Sequence, residues 1–472
     1  MPNIDALTLL LVLHLLIAIP VCAHILLTKN ESVALAWIAL VLISPFLGSA
    51  FYGIFGINRV MRRARKLRGR RPRYVPHLDT HPMPFEGLPT AQQTQLFQFA
   101  RSIHALPFLG GNTVTPLPHG DVAYPDMLKA IAAAKNNIAL SVYIFEMDDI
   151  GTQFITALKA AHARGVTVRV LIDEIGSGAF RSRAADKDLS REGIATARFI
   201  PQKLKLLPFI NLRNHRKIML VDGQVGYIGG MNICRTYSHK SDDTIRDIHF
   251  RVTGPTLDQM STVFEEDWKF ATGETVELPT CVFDKAASNQ PMYARVVPDG
   301  PDNNFQRTFW IMLGALAVAQ KSVRVMTPYF LPNDILTSAL CVCALRKVDV
   351  EVVVPSHTDI TLVDWAMRAE FQELLEHGVK IFVGDAPFDH SKVMTVDGVW
   401  SLVGSSNWDQ RSLRLNFEAN LECYDADLCA ALEAYYDKAK AVARPVYLDE
   451  VRSQPLRIQL RNNFARLFAP YL

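Results

Sequence analysis

The chain has 472 residues, 49% of them hydrophobic and 21% charged, which excludes intrinsic disorder for its bulk and predicts more than one compact domain. Its formal net charge is +3, but residues 1–74 carry +8 and the remaining chain carries −5, and a net negative body disfavours general nucleic-acid binding. The seven cysteines include no CxxC pair and no zinc-like spacing, so neither a disulfide framework nor a structural zinc is expected.

Two apolar segments stand at the amino end. Residues 6–27 and 33–57 contain no Asp, Glu, Lys or Arg, and each is long enough as a helix to cross about 30 Å of hydrocarbon. Only the short turn over 28–32 separates them, so the sequence predicts a transmembrane helical hairpin. The start of the chain lacks a basic region and a second apolar segment follows at once, which disfavours a cleaved signal peptide.

A basic run follows the second apolar segment. Nine Lys or Arg residues lie between Arg59 and Arg73, against Lys29 alone in the connecting turn. The positive-inside rule therefore predicts that this run and everything after it lie in the cytoplasm. The same charges could also attract anionic membrane lipids, and the two roles are compatible.

From about residue 110, apolar strands and helices alternate, and the same order returns about 175 residues later. The predicted strands are 138–145, 166–172, 322–330, 348–354 and 379–383, and the predicted helices are 151–164, 334–345 and 362–376. This alternation predicts an α/β fold with two similar, pseudo-symmetric sandwich domains. The predicted divisions are 1–74 for the transmembrane pair and basic run, 75–109 for a linker, 110–272 for the first domain, and 273–472 for a connector, the second domain and a C-terminal segment.

A polar motif occurs once in each half, as NHRKIMLVDG and DHSKVMTVDG. Counted from the histidine, both copies have lysine at +2, aspartate at +7, glycine at +14 and asparagine at +17. The residues concerned are His215, Lys217, Asp222 and Asn232 in the first half, and His390, Lys392, Asp397 and Asn407 in the second. A lone buried histidine is usually structural and one such match is weak evidence, but two matched copies are not a coincidence.

The spacing of the motif suits a phosphodiester. Residues two apart in extended backbone share a face, so His215 and Lys217 are predicted to point the same way, as are His390 and Lys392. If the halves pack around a pseudo-twofold axis, both pairs meet in one pocket. There, ammonium and amide groups could hold the non-bridging oxygens while the two imidazoles serve the two bridging bonds.

The motif aspartates have a structural alternative. Asp222 and Asp397 each precede a glycine, and an Asp-Gly pair between two strands is typical of a tight hairpin turn. We therefore favour a structural role for both over the catalytic role that their place in the motif also allows.

The paired motifs resemble those of the phospholipase D superfamily, and the surrounding sequence resembles one branch, the bacterial cardiolipin synthases. The matching segments span nearly the whole chain: AWIALVLISPFLG, FGINR, GNTVTPLPHGDVAYPDMLKAI, SVYIFEMDDIG, IRDIHFRVTGP, TPYFLPND, GSSNWDQRSLRLNFEANL and RNNFARLFAPYL. Phe388 is a mild departure, since a tyrosine is common before the second motif. With the predicted spans, the resemblance implies two phospholipase D-like domains, a multi-pass protein of the bacterial cytoplasmic (inner) membrane, and an enzyme that uses no metal or cofactor.

The resemblance also implies roles for the two histidines. His215 is expected to attack the phosphorus of one phosphatidylglycerol and to form a covalent phosphatidyl-histidine. His390 is expected to protonate the departing glycerol and then to take a proton from the hydroxyl of a second phosphatidylglycerol, which yields cardiolipin. Pseudo-symmetry leaves the reverse assignment open.

Other residues are expected to support these two. The expected phosphoryl-binding groups are Lys217, Lys392, Asn232, Asn407 and Ser405. Acidic partners should fix the ring nitrogens that do not react, with Glu418 as the candidate in the second half and Asp247 as its counterpart in the first. Tyr143 and Tyr329 are expected either to line the mouth of the site or to pack in the core.

Other functions remain open from the sequence. A hydrolase with the same motifs would release phosphatidic acid, and phosphatidylethanolamine or a free alcohol could replace the second phosphatidylglycerol. A nuclease is disfavoured by the apolar segments and the negative body. A non-enzymatic membrane scaffold would predict degenerate motifs, whereas both copies are intact. The oligomeric state is left open.

Overall fold

The computed structural model describes residues 6–29, 31–56, 91–103, 106–174, 176, 183–199, 212–238, 241, 244–282, 292–302 and 304–469. The chain divides into two compact units, with the boundary between Lys66 and Leu67. The basic run over 59–73 and the first part of the predicted linker lie outside the described residues.

The first apolar segment forms helix α1 (Ala6–Thr28). Its part from Thr8 to Thr28 is long and apolar enough to cross a membrane. Many of its side chains have no protein cover: Leu16 is 66% exposed and Leu26 is 67% exposed. The prediction of a continuous apolar helix at this place is confirmed.

The second apolar segment is not one helix. It forms α2 (Glu31–Ile43), α3 (Leu47–Phe51) and a π-helical turn (Tyr52–Gly56). Pro45 lies in the break and has no N–H group with which to continue α2, and Phe46 takes a left-handed backbone conformation with a φ of 61°. The prediction that 33–57 forms one continuous membrane-spanning helix is therefore wrong. A pair of transmembrane helices is not confirmed.

The larger unit begins with helix α4 (Ala91–Ile103), and its two halves follow. The first half contains β1 (Leu109–Pro118), α5 (Gly120–Ala133), β2 (Asn137–Val142), α6 (Asp149–Ala163), β3 (Thr167–Ile172), α7 (Arg183–Arg191), β4 (Ala195–Arg198), β5 (Arg213–Asn214), β6 (Ile218–Val221), β7 (Val225–Gly229), a 3-10 turn (Arg235–Tyr237), β8 (Ile248–Thr253) and α8 (Thr256–Thr272).

The second half repeats this order with small additions. It contains β9 (Met292–Asp299), α9 (Arg307–Val318), β10 (Ser322–Met326), β11 (Phe330–Leu331), α10 (Asp334–Leu345), β12 (Asp349–Pro355), α11 (Thr361–Glu376), β13 (Lys380–Gly384), β14 (Val393–Val396), β15 (Trp400–Gly404), β16 (Trp408–Asp409), α12 (Gln410–Arg414), β17 (Asn416–Tyr424), α13 (Ala426–Ala441), β18 (Ala443–Pro445), α14 (Leu448–Arg452) and α15 (Leu456–Arg466).

One sheet runs through both halves. Its strand order is β18-β13-β12-β10-β14-β15-β17-β9-β1-β8-β7-β6-β2-β3-β4, with β5 paired to β17 off this path. Counted outwards from the antiparallel β1–β9 pair, the first seven strands on each side correspond one to one, including the parallel outer strands β2-β3-β4 and β10-β12-β13. The predicted repeat of an α/β unit is confirmed, but the halves share a sheet instead of forming separate sandwiches.

The predicted strand over 322–330 is too long. Strand β10 ends at Met326, and Pro328, which lacks an N–H donor, interrupts the ladder. Phe330 then begins β11, which pairs in parallel with β16 at Trp408. The break turns the chain out of the main sheet close to the second polar motif.

A buried ion pair lies near the middle of the sheet. Arg295 of β9 is directly opposite Glu422 of β17, and both side chains are fully buried. The guanidinium Nε donates to Glu422 Oε2 at 2.8 Å, and Trp400 Nε1 donates to the other carboxylate oxygen at 3.0 Å. The carboxylate thus compensates a charge that could not otherwise be buried at this depth.

We predict that Glu422→Leu lowers the free energy of unfolding by about 3–5 kcal/mol, because it leaves the Arg295 charge buried without its partner. The double variant Arg295→Met with Glu422→Leu should recover most of the loss. The measurement is denaturant unfolding of the full chain in detergent, followed by tryptophan fluorescence. A double variant less stable than the single one would contradict this account of the pair.

Candidate active site

The two motif histidines lie in matching places. His215 lies between β5 and β6, and His390 lies directly before β14. Both are in extended backbone immediately ahead of the strand, not within it as predicted from the alternation of faces. Each side chain is almost buried, with 11% of its surface exposed for His215 and 10% for His390. A small reactive edge of each imidazole therefore remains accessible.

Each histidine segment is hydrogen bonded to the other half of the molecule. Strand β5 pairs in parallel with the start of β17, and the His215 N–H donates to the Phe417 carbonyl at 2.9 Å. In the matching place, Asp389 forms a parallel bridge with Arg246, and the His390 N–H donates to the Arg246 carbonyl at 2.7 Å. The two halves thus exchange equivalent backbone contacts.

Because of these contacts, each motif histidine lies next to an acidic residue of the other half. His215 Nδ1 lies 3.0 Å from Glu418 Oε2, and His390 Nδ1 lies 2.8 Å from Asp247 Oδ2. The predicted pairing of Glu418 with the second-half histidine, and of Asp247 with the first, is therefore wrong, although both acids do contact a motif histidine. An ionised carboxylate can only accept, so it holds the proton on Nδ1 and leaves the Nε2 lone pair for chemistry.

The two lysines are also buried within the site. Lys217 Nζ donates to the His215 carbonyl at 2.8 Å, and Lys392 Nζ contacts the His390 carbonyl and lies 2.8 Å from its Nδ1. Burial lowers the pKa of Lys217 to about 7 and that of Lys392 to about 8. Both ammonium groups are thus poorly solvated, and an anion between them would restore their charged form.

The two histidines have a charged neighbour in common, since Lys217 lowers the pKa of each. Burial is the main cause that lowers the pKa of His390 well below its ordinary value, followed by the charges of Lys392, Lys217 and His215. Burial also lowers the pKa of His215, although Glu418 acts against this. Both imidazoles are therefore neutral near pH 7, and they lie close enough to influence each other.

The pKa values of the two acids shift in opposite directions. Burial alone would raise the pKa of Glu418, but His215, Lys217 and Ser405 outweigh it and the pKa is lowered, so this carboxylate is ionised. Burial raises the pKa of Asp247 to about 6, although Lys392 opposes the change. The His215 side of the site thus has the firmer negative partner.

The motif aspartates form hairpin turns. Asp222 has a φ of 54° and Gly223 a φ of 65°, and the Gln224 N–H donates back to the Val221 carbonyl at 3.0 Å. Asp397, with a φ of 56°, repeats this turn before Gly398. The predicted Asp-Gly turns are confirmed.

The same carboxylates anchor neighbouring backbone. Asp222 accepts from the N–H groups of Lys135, Asn136 and Asn137, at 2.7–2.9 Å. Asp397 accepts in the same way from the N–H groups of Gln320, Lys321 and Ser322. Both carboxylates therefore tie the motif hairpin to the start of the neighbouring antiparallel strand, β2 or β10. Their inclusion among the catalytic residues is corrected to a structural placement.

Ser405 does not face a substrate. Its hydroxyl donates to Glu418 Oε2 at 2.5 Å and accepts from the Ala419 N–H at 3.0 Å, and the residue is fully buried. The predicted contact between Ser405 and phosphate is therefore corrected. The Ser405 hydroxyl instead supports the Glu418 carboxylate, which in turn holds His215.

The motif asparagines are both nearly buried. Asn232 Oδ1 accepts from the Ile144 N–H at 3.1 Å, and its amide donates to Tyr237 Oη at 3.2 Å. The Asn407 amide donates to Ser412 Oγ at 3.3 Å. Tyr237 and Ser412 each lie five residues after the asparagine that they contact. Comparing the two halves of the sequence at this offset could have identified both partners.

Aromatic rings surround the imidazoles. The Tyr143 ring packs edge-on against His215 with centroids 4.9 Å apart, and Tyr329 lies 6.3 Å from His390. Phe388 and Tyr237 lie 5.9 and 6.2 Å from His390. Tyr143 and Tyr329 thus line the site, which was one of the two places predicted for them, the other being the core. Tyr237 was not identified from the sequence.

Arg216 is a further residue that the sequence did not reveal. It lies between the motif His and Lys, is fully buried, and its Nε donates to the Glu418 carbonyl at 2.9 Å. Its other nitrogens donate to Asp267 Oδ1 at 2.6 Å and to the Asp299 carbonyl at 3.0 Å. The second motif has serine at this place, so only the first half supplies this link between the halves.

A cleft of about 820 Å³ opens beside the His390 side of the site. Both halves contribute to its lining, in which a few polar and charged groups stand among mostly apolar surface. The lining residues are Thr236, Thr244, Ile245, Arg246, His357, Thr358, Asp359, Ala386, Pro387 and Phe388. Phe388 contacts His390, and Asp359 accepts a hydrogen bond from Tyr329 at 2.5 Å, so the cleft adjoins the aromatic wall.

Similar proteins are found for nearly the whole chain. A family model described as "Cardiolipin synthase, PLD-like domain" matches residues 127–268 and 312–440. A cardiolipin synthase of Geobacillus thermodenitrificans is 31% identical over 94% of this chain and 90% of its own. The major cardiolipin synthase of Bacillus subtilis is 30% identical over 99% of this chain and 98% of its own.

The fold is also similar to a solved structure. A phosphatidylserine synthase of Haemophilus influenzae superposes with a TM-score of 0.61 at 13% identity, covering 80% of this chain and all of that one. At this identity the likeness concerns the fold alone.

We predict that Asp222→Ala lowers the free energy of unfolding by about 2–3 kcal/mol, because it leaves buried or half-buried N–H groups without an acceptor. Asp397→Ala should cost less, about 1 kcal/mol, because water can replace the carboxylate at the exposed N–H groups of Gln320 and Lys321. Asp427→Ala, at an exposed position in the first turn of α13, is the matched control. Denaturant unfolding in detergent measures the effect. Variants as stable as the control would contradict the anchoring role.

Proposed function

The chain belongs to the cardiolipin synthase family of phospholipase D-like proteins, and on that ground we propose that it transfers a phosphatidyl group between two phosphatidylglycerol molecules, giving cardiolipin and glycerol. The observation that carries the proposal is the pair of crossed contacts, His215 with Glu418 and His390 with Asp247. They provide two oriented imidazoles for the two bridging bonds of one phosphodiester.

In the first step, His215 Nε2 forms a bond to phosphorus while the bond from phosphorus to the glycerol oxygen breaks. The departing oxygen takes a proton from His390. In the second step, the hydroxyl of another phosphatidylglycerol gives its proton to His390 and attacks phosphorus, and the bond to His215 breaks. Two successive displacements thus exchange one phosphodiester for another.

The buried lysines suit the charge of this intermediate. Lys217 and Lys392 would hold the non-bridging oxygens, and Asn232 and Asn407 would help to fix them. Without an anion, burial and mutual repulsion lower the lysine pKa values. A bound phosphodiester offsets that repulsion, so the site binds its ligand with a gain in charge stabilisation.

His390 must carry a proton to act first as the acid. Burial and the charges of Lys392 and Lys217 lower its pKa well below the ordinary value. The phosphodiester charge counteracts both lysines and makes protonation easier. The firmer carboxylate on His215 also supports the reverse assignment, in which His390 is the nucleophile, and the trapping experiment below distinguishes the two.

Transfer competes with hydrolysis because water can attack the same intermediate. The rings of Tyr143, Tyr237, Tyr329 and Phe388 leave little room for water around the imidazoles. The cleft, whose mostly apolar lining includes Arg246, His357 and Asp359, adjoins the His390 side, where the acceptor hydroxyl loses its proton. We assign this cleft to the second lipid.

The membrane arrangement extends the proposal. The apolar helix α1 supports membrane attachment, and the charge asymmetry between Lys29 and the basic run over 59–73 supports a two-pass amino end with the body in the cytoplasm. We keep 110–272 and 273–472 as the two phospholipase D-like parts, because the family model matches 127–268 and 312–440 inside them.

We predict equimolar cardiolipin and glycerol when the full chain in detergent micelles receives labelled phosphatidylglycerol. His215→Ala and His390→Ala should each reduce turnover by at least about 10³-fold, as loss of a nucleophile or proton carrier does. Glu373→Ala, which changes a side chain on α11 outside the proposed site, is the control. Phosphatidic acid as the main product would replace the transferase with a hydrolase.

Quenching with denaturant at alkaline pH assigns the nucleophile, because the phosphorus–nitrogen bond of a phosphohistidine survives base but hydrolyses in acid. The His390→Ala variant should accumulate label on the protein at His215, where the first displacement can occur but the second lacks its base. Label on His390 in the His215→Ala variant, with none in the reciprocal case, would establish the reverse assignment. Near-normal turnover by either variant would contradict the paired mechanism itself.

We predict a bell-shaped pH dependence of kcat/KM. The acid limb should lie below the ordinary histidine value of about 6.5, because burial lowers the pKa values of His215 and His390 and the nucleophile must be neutral. The alkaline limb should follow loss of the lysine protons, with pKa values of about 7 for Lys217 and about 8 for Lys392. Rates of cardiolipin formation across pH measure both limbs.

The variant Lys217→Arg should move the alkaline limb towards higher pH, because Lys217 has the lower of the two pKa values and a guanidinium stays charged. A wild-type profile that stays level from about pH 7 to about pH 10 would contradict a role for charged lysines.

A further inference from the structure

The helix α15 near the carboxyl end packs by one face only. Asn462 and Ala465 are buried, and Arg466 Nε forms an ion pair with Glu370 Oε1 of α11 at 2.9 Å. The Arg461 guanidinium lies 4.6 Å from the centre of the Trp365 ring, also on α11. These contacts fix the rotation of α15 and therefore determine which side chains it presents outwards.

The outward face is apolar. Spacings of four, four and three residues place its first four members on one side of the helix, and a fifth follows directly. The residues, with their exposed fractions, are Leu456 at 68%, Leu460 at 61%, Phe464 at 62%, Leu467 at 71% and Phe468 at 41%. The Phe464 and Phe468 rings touch with centroids 5.4 Å apart, so the stripe is continuous at that end. A soluble surface rarely exposes such a contiguous row.

The charge around this stripe has one sign. Residues 456–469 contain Arg457, Arg461 and Arg466 and no Asp or Glu. Two copies of the chain that met through this face would bring their arginines together, which disfavours self-association. An anionic lipid surface instead offers hydrocarbon to the stripe and phosphate to the exposed Arg457, whose stem can lie along apolar surface while its head reaches a phosphate. Arg461 and Arg466, which contact α11, add positive charge nearby.

We propose that α15 is an interfacial membrane-binding helix that docks on bilayers containing anionic lipid. It would act in addition to the apolar amino-terminal segment and would hold the carboxyl end of the body against the bilayer. The docking depends on the stripe and its arginines alone. Its benefit to turnover rests on the proposed function, because substrate lipids are concentrated at that surface.

The test places a fluorescent bimane label on the full chain through Leu460→Cys, reconstituted in vesicles of phosphatidylcholine with or without phosphatidylglycerol. Among the described cysteines, all but Cys22 are buried, and the unsubstituted chain gives the background. The exposed Ala430 of α13 provides the control label through Ala430→Cys. Brominated acyl chains and aqueous iodide quench labels in lipid and in water, respectively.

Lipids with brominated acyl chains should quench the label at position 460 about twofold or more in phosphatidylglycerol vesicles, with little quenching by iodide, as expected for an interfacial helix. The label at position 430 should show the opposite. Strong iodide quenching at 460 would overturn the proposal. Protection from both quenchers would also overturn it, since a second copy or another part of the chain would then cover the stripe.

A kinetic test uses the double variant Leu460→Glu with Phe464→Glu and the neighbouring exposed control Asn463→Glu. The double variant should raise KM for vesicle-borne phosphatidylglycerol about tenfold and leave kcat on a monomeric short-chain substrate unchanged, because acidic groups oppose interfacial docking. Equal KM values for both variants would overturn the link to turnover. The quenching result stands apart from catalysis, so an inactive protein with a lipid-quenched label would refute the proposed function and keep the docking.

Discussion

Two short parallel contacts between the halves determine where the site can form. Arg213 and Asn214 pair with the start of β17, and Asp389 bridges to Arg246. Because each contact brings a motif histidine next to the opposite half's acid, neither half contains a complete histidine–carboxylate pair. The continuous sheet through the β1–β9 junction keeps the halves in the register that these contacts require. Assembly of the halves and assembly of the chemistry are therefore the same event.

The site places two lysines beside two neutral imidazoles where water is scarce. Burial lowers the pKa values of Lys217 and Lys392. Such a site is electrostatically unfavourable when empty and is relieved by an anion, as the proposed phosphodiester substrate would be. Supporting hydrogen bonds hold the acids: Ser405 donates to Glu418, and the Ile248 N–H donates to Asp247.

The sequence predicted the features that depend on local pattern. The matched offsets identified both motifs, the Asp-Gly pairs predicted the turns, and alternating apolar segments predicted the repeated α/β order. It could not predict the crossing of Glu418 and Asp247, because offsets within a half carry no information on contacts between halves. Ser405 was misplaced for a different reason: its partner Glu418 lies in the same half, on the neighbouring strand β17, and matched offsets do not reveal which strands are neighbours. The broken second apolar segment shows that composition alone overestimates helix length when Pro45 interrupts the backbone ladder.

A structure of the full chain with vanadate tests most directly whether both imidazoles serve one reacting centre, because vanadate mimics the five-coordinate phosphorus of a displacement reaction. The account predicts a single vanadate with Nε2 of one motif histidine bonded to vanadium and Nε2 of the other within hydrogen-bond distance of the opposite apical oxygen. Lys217 and Lys392 should contact its equatorial oxygens. Vanadate that contacts one histidine only, or two separate ions in unconnected cavities, would contradict the shared centre.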